Sequence, residues 1–258
     1  MLVLRVVEAN FRALGKSWRA DALAALAQPI VLLVVFAGLL ARAGTGGRPS
    51  DWAGGAVFGY GQYVAVGIAC SSGVFAGATE ASHLVYAGLR FNDRFTTIVT
   101  TPVSPAVLGL GNLVWAALYG ACLSAVLFGL TTPFLPAAML LKLPVAVLVS
   151  AATAASVAAP LDVLVCLNFR TPQILNIIGR VILPPLLLFS ATYFPTRVLP
   201  RWASTMVGLF PVSHANIAVR AIYAGAWHQV LPHLLVIGCW LVAGAALTVR
   251  TLRRQLSA

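Results

Sequence analysis

Pro105-Ala-Val-Leu-Gly-Leu-Gly-Asn-Leu-Val-Trp-Ala-Ala-Leu-Tyr-Gly-Ala-Cys-Leu-Ser-Ala-Val-Leu-Phe-Gly-Leu130 contains no Asp, Glu, Lys, Arg or His. About 20 mostly apolar residues suffice to cross the hydrocarbon core of a bilayer. In that medium the backbone must satisfy its own hydrogen bonds, and the stretch lacks the apolar–polar alternation of a barrel strand, so it reads as a spanning helix. Five further stretches qualify: roughly Ala22–Leu40, Ala56–Thr79, Pro144–Leu167, Ile174–Thr192 and Val230–Val249. The expected fold is an all-α polytopic membrane protein with six transmembrane helices, forming one domain over residues 1–258.

Composition agrees. The 258 residues are 60% hydrophobic and only 9% charged, with a mean hydropathy of +0.93. A soluble domain carries about a quarter charged residues, so this surface must face lipid for the most part. The net charge of +11 is spread between apolar runs rather than gathered into a stripe that tracks phosphates. Nucleic acid is therefore not an expected partner; anionic membrane lipids are. Cys70, Cys122, Cys166 and Cys239 each stand alone in apolar sequence, which suggests neither a disulfide framework nor a zinc site. The first apolar run is too long for a secretory leader and reads as a retained span.

Lys and Arg in the short loops set the orientation. With the N-terminus inside, Arg5, Arg12, Lys16, Arg19, Arg90, Arg94, Arg170, Arg250, Arg253 and Arg254 are cytoplasmic. Arg42, Arg48, Lys142, Arg197, Arg201 and Arg220 are outside, and both termini come out cytoplasmic. Three segments between the spans are informative. Residues 1–20 place Val3, Val6, Val7, Phe11, Leu14 and Trp18 at helical spacing against four basic residues, the pattern of an amphipathic helix lying in the interface. Residues 80–104 are the most charged internal stretch. Here Glu80, Arg90, Asp93 and Arg94 flank Phe91, Phe95, Ile98 and Val99. An apolar anchor with a charged rim suits docking into a partner groove, or else lying on the membrane surface. Residues 193–229 are broken by Pro195, Pro200 and Pro211 and fit short re-entrant or interfacial helices on the outer side.

Chemical motifs are sparse. Gly15-Lys16-Ser17 resembles the end of a phosphate-binding loop, but the required earlier glycine is Asn10 and no strand precedes it. His83, His214, His228 and His233 have no metal-ligand spacing, and His214 and His228 read as interfacial. The six acids are dispersed, so no catalytic residues and no metal site are expected. Gly55, Gly59, Gly73 and Gly77 form small-residue faces on the second span, for packing within the chain or against another subunit. Asp162 and Arg180 lie inside spans four and five at nearly equal depth from the turn at Arg170. They are expected either to pair, locking that hairpin, or to reach separately toward the headgroups.

Two blocks carry a family resemblance. Arg90-Phe-Asn-Asp-Arg-Phe-Thr-Thr-Ile-Val-Thr-Thr-Pro-Val-Ser-Pro105, followed by Leu108-Gly-Leu-Gly-Asn-Leu-Val-Trp115, is the first. The second comprises Leu188-Phe-Ser-Ala-Thr-Tyr-Phe-Pro195, Leu199-Pro-Arg-Trp202, Phe210-Pro-Val-Ser-His214 and Arg220-Ala-Ile-Tyr-Ala-Gly225, with Leu252-Arg-Arg-Gln-Leu256 near the end. In order and spacing, over essentially the whole chain, they resemble the permeases of type 2 ABC exporters. The subgroup resembled contains the lipo-oligosaccharide (nodulation factor) and anthracycline or multidrug exporters.

The resemblance implies a permease paired with a second, identical or related, permease and docked on an ABC ATPase dimer. ATP and Mg would be bound by the ATPase, with no cofactor in this chain. Arg90, Phe91, Asp93, Arg94, Phe95, Thr101 and Pro102 would belong to the coupling segment that seats on the ATPase. The expected function is export of an amphipathic substrate, a lipid, glycolipid or hydrophobic drug, across a bacterial plasma membrane. The rival readings are an intramembrane lipid-modifying enzyme, which should gather acids or histidines at one depth, and an ion-coupled transporter, which should show repeats with matched broken helices.

Overall fold

Ser104 and Pro105 open the helix quoted above. Ser104 has an extended backbone and its hydroxyl accepts from Val107 N at 3.4 Å, while Pro105 sits where a missing N–H costs nothing. The computed structural model describes residues 2–15, 18–40, 59–90, 104–171, 173–196 and 199–256. In chain order its helices are α1 (Leu2–Leu14), α2 (Trp18–Leu32, continuing as a π-helix over Leu33–Leu40), α3 (Tyr60–Arg90), α4 (Pro105–Leu130) and α5 (Leu143–Asn168). There follow α6 (Ile174–Leu188, π-helical over Ile178–Ile182), α7 (Arg201–Val207), α8 (Pro211–Ala224) and α9 (Val230–Leu256). No strand occurs among the described residues.

Five of these helices, α2, α3, α4, α5 and α9, are long and apolar enough to cross a membrane. The remaining expected span, Ile174–Thr192, differs: its helix stops at Leu188 after 15 residues. That is about 22 Å, against a hydrocarbon core of about 30 Å. Pro184 and Pro185 withhold two backbone donors, and Ala191 turns the chain with φ at 57°. The second span also departs from its expected end. No breaker follows Thr79, so α3 runs on to Arg90 and buries Ala81, Ser82, Val85 and Tyr86. Glu80 thus belongs to a span rather than to a loop.

Two pairs of contacts and two single ones set the helix directions. Ser150 meets Cys70 at 3.4 Å and Asp162 meets Ser82 at 3.2 Å, a step of twelve residues on each helix, so α3 and α5 run parallel and in register. Thr248 of α9 donates to Ala159 O at 3.0 Å, and Lys142 Nζ, just before α5, donates at 3.1 Å to Tyr223 O, at the end of α8 and ahead of α9. Hence α9 is parallel to α5 as well. Asn112, early in α4, reaches Asp162, late in α5, so α4 is antiparallel to both. Finally, Tyr63 in the first turn of α3 donates through its hydroxyl to Ala191 O at 3.0 Å. The chain through α6 therefore returns from the end where α5 finishes to the end where α3, α5 and α9 begin.

Close backbone approach at glycines holds the centre together. A side chain at Gly73 would overlap Ser124 of α4, and one at Gly77 would overlap the Ala116 carbonyl. A Cβ at Gly120 would stand 2.7 Å from Ala154 Cβ on α5. Gly73 and Gly77 thus serve packing within the chain; Gly55 lies outside the described residues, and Gly59 has open space beside it. The helix α1 ends at Leu14, earlier than Ala20, and lies along the start of α4, with Phe11 edge-on to Trp115 at 6.4 Å. Leu4 and Phe11 remain 68% exposed on it. The 193–229 segment forms two helices of 7 and 14 residues, neither long enough to cross. Of these, α8 is sunk among α3, α5 and α9, and Gly225 with φ at 78° ends it.

Candidate functional site

A cleft of about 570 Å³ lies between α2, α3 and α6, with Tyr119 of α4 at its edge. Its walls are apolar, with Pro29, Leu32, Phe75 and Ala76 opposite Leu183 and Leu187. Its ionisable residues gather toward one end: Asp21 comes from the first turn of α2, and Glu80 and His83 from the second half of α3. Gln28 of α2, Ser72 and Thr79 of α3, Tyr119 of α4 and Tyr193 after α6 also line it. Two of the six acids in the whole chain converge here. A largely apolar trough with its charged groups at one end is the complement of an amphipathic molecule. Spacing could not show it, because Asp21 and Glu80 are far apart in sequence and meet only through the packing of α2 on α3.

A second polar cluster is buried at the opposite end, and sequence reasoning missed it. Arg220, expected in an outer loop, is 6% exposed. Its guanidinium donates to Ala191 O at 2.8 Å, to Tyr63 O at 2.9 Å and to Thr192 O at 3.1 Å, and lies 3.5 Å from the centre of the Tyr63 ring. One turn earlier, Asn216 Nδ2 donates to Ser190 O and to Ser71 Oγ, both at 2.8 Å. The hydroxyl of Thr192 joins Ser71 at 2.7 Å and Ser190 at 2.6 Å. Gly67 makes room for this: a Cβ there would stand 2.6 Å from Thr192 O. The cluster pins α8 and the turn after α6 onto the first half of α3. A signal was present in the sequence, since Ser213, Asn216 and Arg220 fall at i, i+3 and i+7, on one face of a mostly apolar helix.

Of the two charges expected inside spans, Asp162 is fully buried. Its partner is not Arg180. Asn112 Nδ2 donates to one carboxyl oxygen at 2.8 Å, and the Ser82 hydroxyl lies 3.2 Å from the other. Arg180 is exposed on α6. The expected pair fails because α3 and α4 present their own polar groups to that face of α5, leaving the carboxylate satisfied without a cation. Asp162 therefore joins α3, α4 and α5 rather than locking the α5–α6 hairpin.

Arg90 closes α3 and is exposed, at the end of the bundle where α4 begins. A basic residue there also complements the helix C-terminus. Phe91, Asp93, Arg94, Phe95, Thr101 and Pro102 lie outside the described residues. Cys70 and Cys166 are buried, Cys122 and Cys239 exposed, and all four are free thiols.

The chain has five apolar helices of spanning length, an amphipathic helix before them and a helix, α8, sunk among α3, α5 and α9. With this arrangement goes a match, over residues 1–224, to the model of the ABC-2 type transporter family. The chain belongs to the ABC-2 type transporter family. It is also similar to Nodulation protein J of Rhizobium meliloti (strain 1021), with 25% identity over 202 residues, covering 76% of this chain and 75% of that protein. As a member of the ABC-2 type family it is the membrane component of a transporter, a multi-pass membrane protein rather than an enzyme in its own right. The family match takes in the cleft, the Asp162 cluster and the Arg220 cluster alike.

Proposed function

We propose that this chain is the permease of an ABC exporter that moves an amphipathic substrate, a lipid, glycolipid or hydrophobic drug, out of the cytoplasm or inner leaflet. The observation that carries this reading is the cleft, whose largely apolar walls, with Asp21, Glu80 and His83 together toward one end, match a molecule with an apolar body and a polar head. Energy comes from a separate ABC ATPase dimer that binds ATP and Mg and seats on the segment around Arg90–Thr101. A second permease, identical or related, completes the transporter in a bacterial plasma membrane. The expected test is co-reconstitution with an ABC ATPase. Purified alone, the chain should bind no nucleotide, and with the ATPase it should support hydrolysis. Arg94→Cys and Phe95→Cys should cross-link to the ATPase and stay unlabelled from outside intact cells. Specific nucleotide binding by the chain alone, or outside labelling, would overturn the reading.

The topology that goes with this function has six crossings, both termini cytoplasmic, and α6 as a short span. The parallel course of α5 and α9 supports it, since the chain must recross between them. So does charge, since Arg170, Arg250, Arg253 and Arg254 then share the cytoplasmic side. A short span is accommodated at a modest cost by local thinning of the bilayer. Reporters fused after Arg170 and after Thr196 are expected on opposite sides, and those after Thr196 and after Ala226 on the same side. Equal sidedness for the first pair would remove the sixth crossing.

A further inference from the structure

We propose that His214 and His233 form a two-imidazole binding site for a borderline divalent transition-metal ion of the zinc or copper class, where the start of α8 meets the start of α9. The two Nδ1 atoms face each other at 2.7 Å, with ring centres 5.0 Å apart. His214 Nε2 lies 2.8 Å from Gly208 O. A carbonyl only accepts, so His214 carries its proton on Nε2 and turns the Nδ1 lone pair toward His233. An imidazole whose far N–H is held by a backbone carbonyl is the arrangement that fixes a metal-ligating histidine.

The turn that supplies this carbonyl is itself held. Trp240, seven residues after His233 on the same face of α9, donates from Nε1 to Leu209 O at 2.9 Å and stacks on Phe210 at 6.4 Å. Both imidazoles are only partly buried, so an ion can reach them. Metal–nitrogen bonds of about 2.0–2.1 Å at a tetrahedral angle put the two nitrogens about 3.3 Å apart. The two nitrogens point head-on at each other. The rings therefore need to separate by about 0.6 Å and each to swing by about 35° to converge on a tetrahedral ion, a rotation that the broad χ2 torsion of histidine allows. In the neutral pair His233 carries its proton on Nδ1. Metal entry moves that proton to Nε2, so the neutral pair loses none and an imidazolium loses one.

No group of three His, Cys, Asp or Glu occurs among the described residues, so two protein nitrogens leave positions for water or another ligand. Imidazole donors without carboxylates select zinc, copper or nickel over magnesium or calcium. A bound ion would tie the outer helix α8 to the last span directly. The site is independent of which substrate the transporter carries.

The test uses the full chain in detergent, purified through a tag without histidine and titrated with zinc. One ion per chain is expected, with a rise in thermal midpoint. His214→Gln and His233→Gln should each weaken binding by more than about tenfold, because even the outer partners of a metal ligand are worth about 10–100-fold. His228→Gln and Cys239→Ser should leave it unchanged. Should either glutamine variant fail to fold, copper electron paramagnetic resonance on the wild-type chain decides, with two equatorial nitrogens expected. Unchanged zinc affinity in both glutamine variants, or a copper spectrum without imidazole nitrogen, overturns the proposal.

Discussion

Arg220→Ala is expected to reduce the yield of monodisperse protein to a small fraction of wild type and to abolish transport with it. The guanidinium serves Tyr63 O, Ala191 O and Thr192 O at once, in a site closed to solvent. Removing it takes the donor from the Thr192 carbonyl, at about 1–3 kcal/mol. It also weakens the pairing of Ala191 O and Tyr63 O, which keep the Tyr63 hydroxyl and the α3 helix, and empties a buried volume at about 2–5 kcal/mol. The total is a large part of the roughly 5–15 kcal/mol that holds a folded protein together. Arg220→Met separates volume from hydrogen bonding, since it refills the space but supplies no donor; it should stay harmful, though less so than alanine. Arg220→Lys keeps the charge, but a single ammonium cannot span carbonyls on two segments, so an intermediate loss is expected. Gly67→Leu should give the same defect from the other side by displacing Thr192 and the guanidinium. Thermal midpoints and size-exclusion profiles in detergent read all four. A methionine variant as stable as wild type would show that Arg220 contributes packing alone.

The contrast between what the sequence disclosed and what it hid follows from the range of the interactions. Pro105–Leu130 was readable because a spanning helix is a local property: length, apolarity and an N-cap at Ser104 decide it. The same holds for the helix α1 and for the breaks at Pro200 and Pro211. At Gly73 and Gly77, by contrast, only their contacts with α4 decide between packing within the chain and packing against another subunit. The end of α3 was not readable, because loop and helix compete there and burial of Val85 and Tyr86 against neighbouring helices settles it. The shortness of α6 was half visible in Pro184 and Pro185, but the turn at Ala191 exists only because Arg220 and Tyr63 hold it.

The sites were less legible than the fold. Glu80 and Arg220 were each read by the sign of a charge in a loop, and each lies within the bundle. A charge count treats all arginines alike, whereas Arg220 is set apart by its helical phase with Ser213 and Asn216. The coupling residues from Phe91 to Pro102 rest on sequence resemblance and on the apolar anchor with its charged rim. Arg90, exposed at the end of α3 beside the start of α4, is the member of that set with a described position.

Asp162→Leu and Asn112→Leu are each expected to destabilise the chain, and the double variant to be more stable than either. Asp162 is buried where α3, α4 and α5 meet, and its oxygens take Asn112 Nδ2 at 2.8 Å and the Ser82 hydroxyl at 3.2 Å. Leucine at 162 alone strands the amide hydrogen that Asn112 directed there, and leucine at 112 alone strands a carboxyl oxygen. Either costs about 1–3 kcal/mol, more for a charged group. Replacing both with apolar groups of similar size removes the polar demand together with its supply, which is often close to neutral. The coupling free energy from the four thermal stabilities should therefore be favourable and about 1–3 kcal/mol. Arg180 supplies the control. It is exposed on α6 and touches none of these groups, so Arg180→Gln should change stability little, and Asp162→Arg combined with Arg180→Asp should be no better than Asp162→Arg alone. Recovery in that swap would restore the ion pair across α5 and α6. Simple additivity of the two leucine changes would instead mean that Asp162 and Asn112 sit side by side without depending on each other.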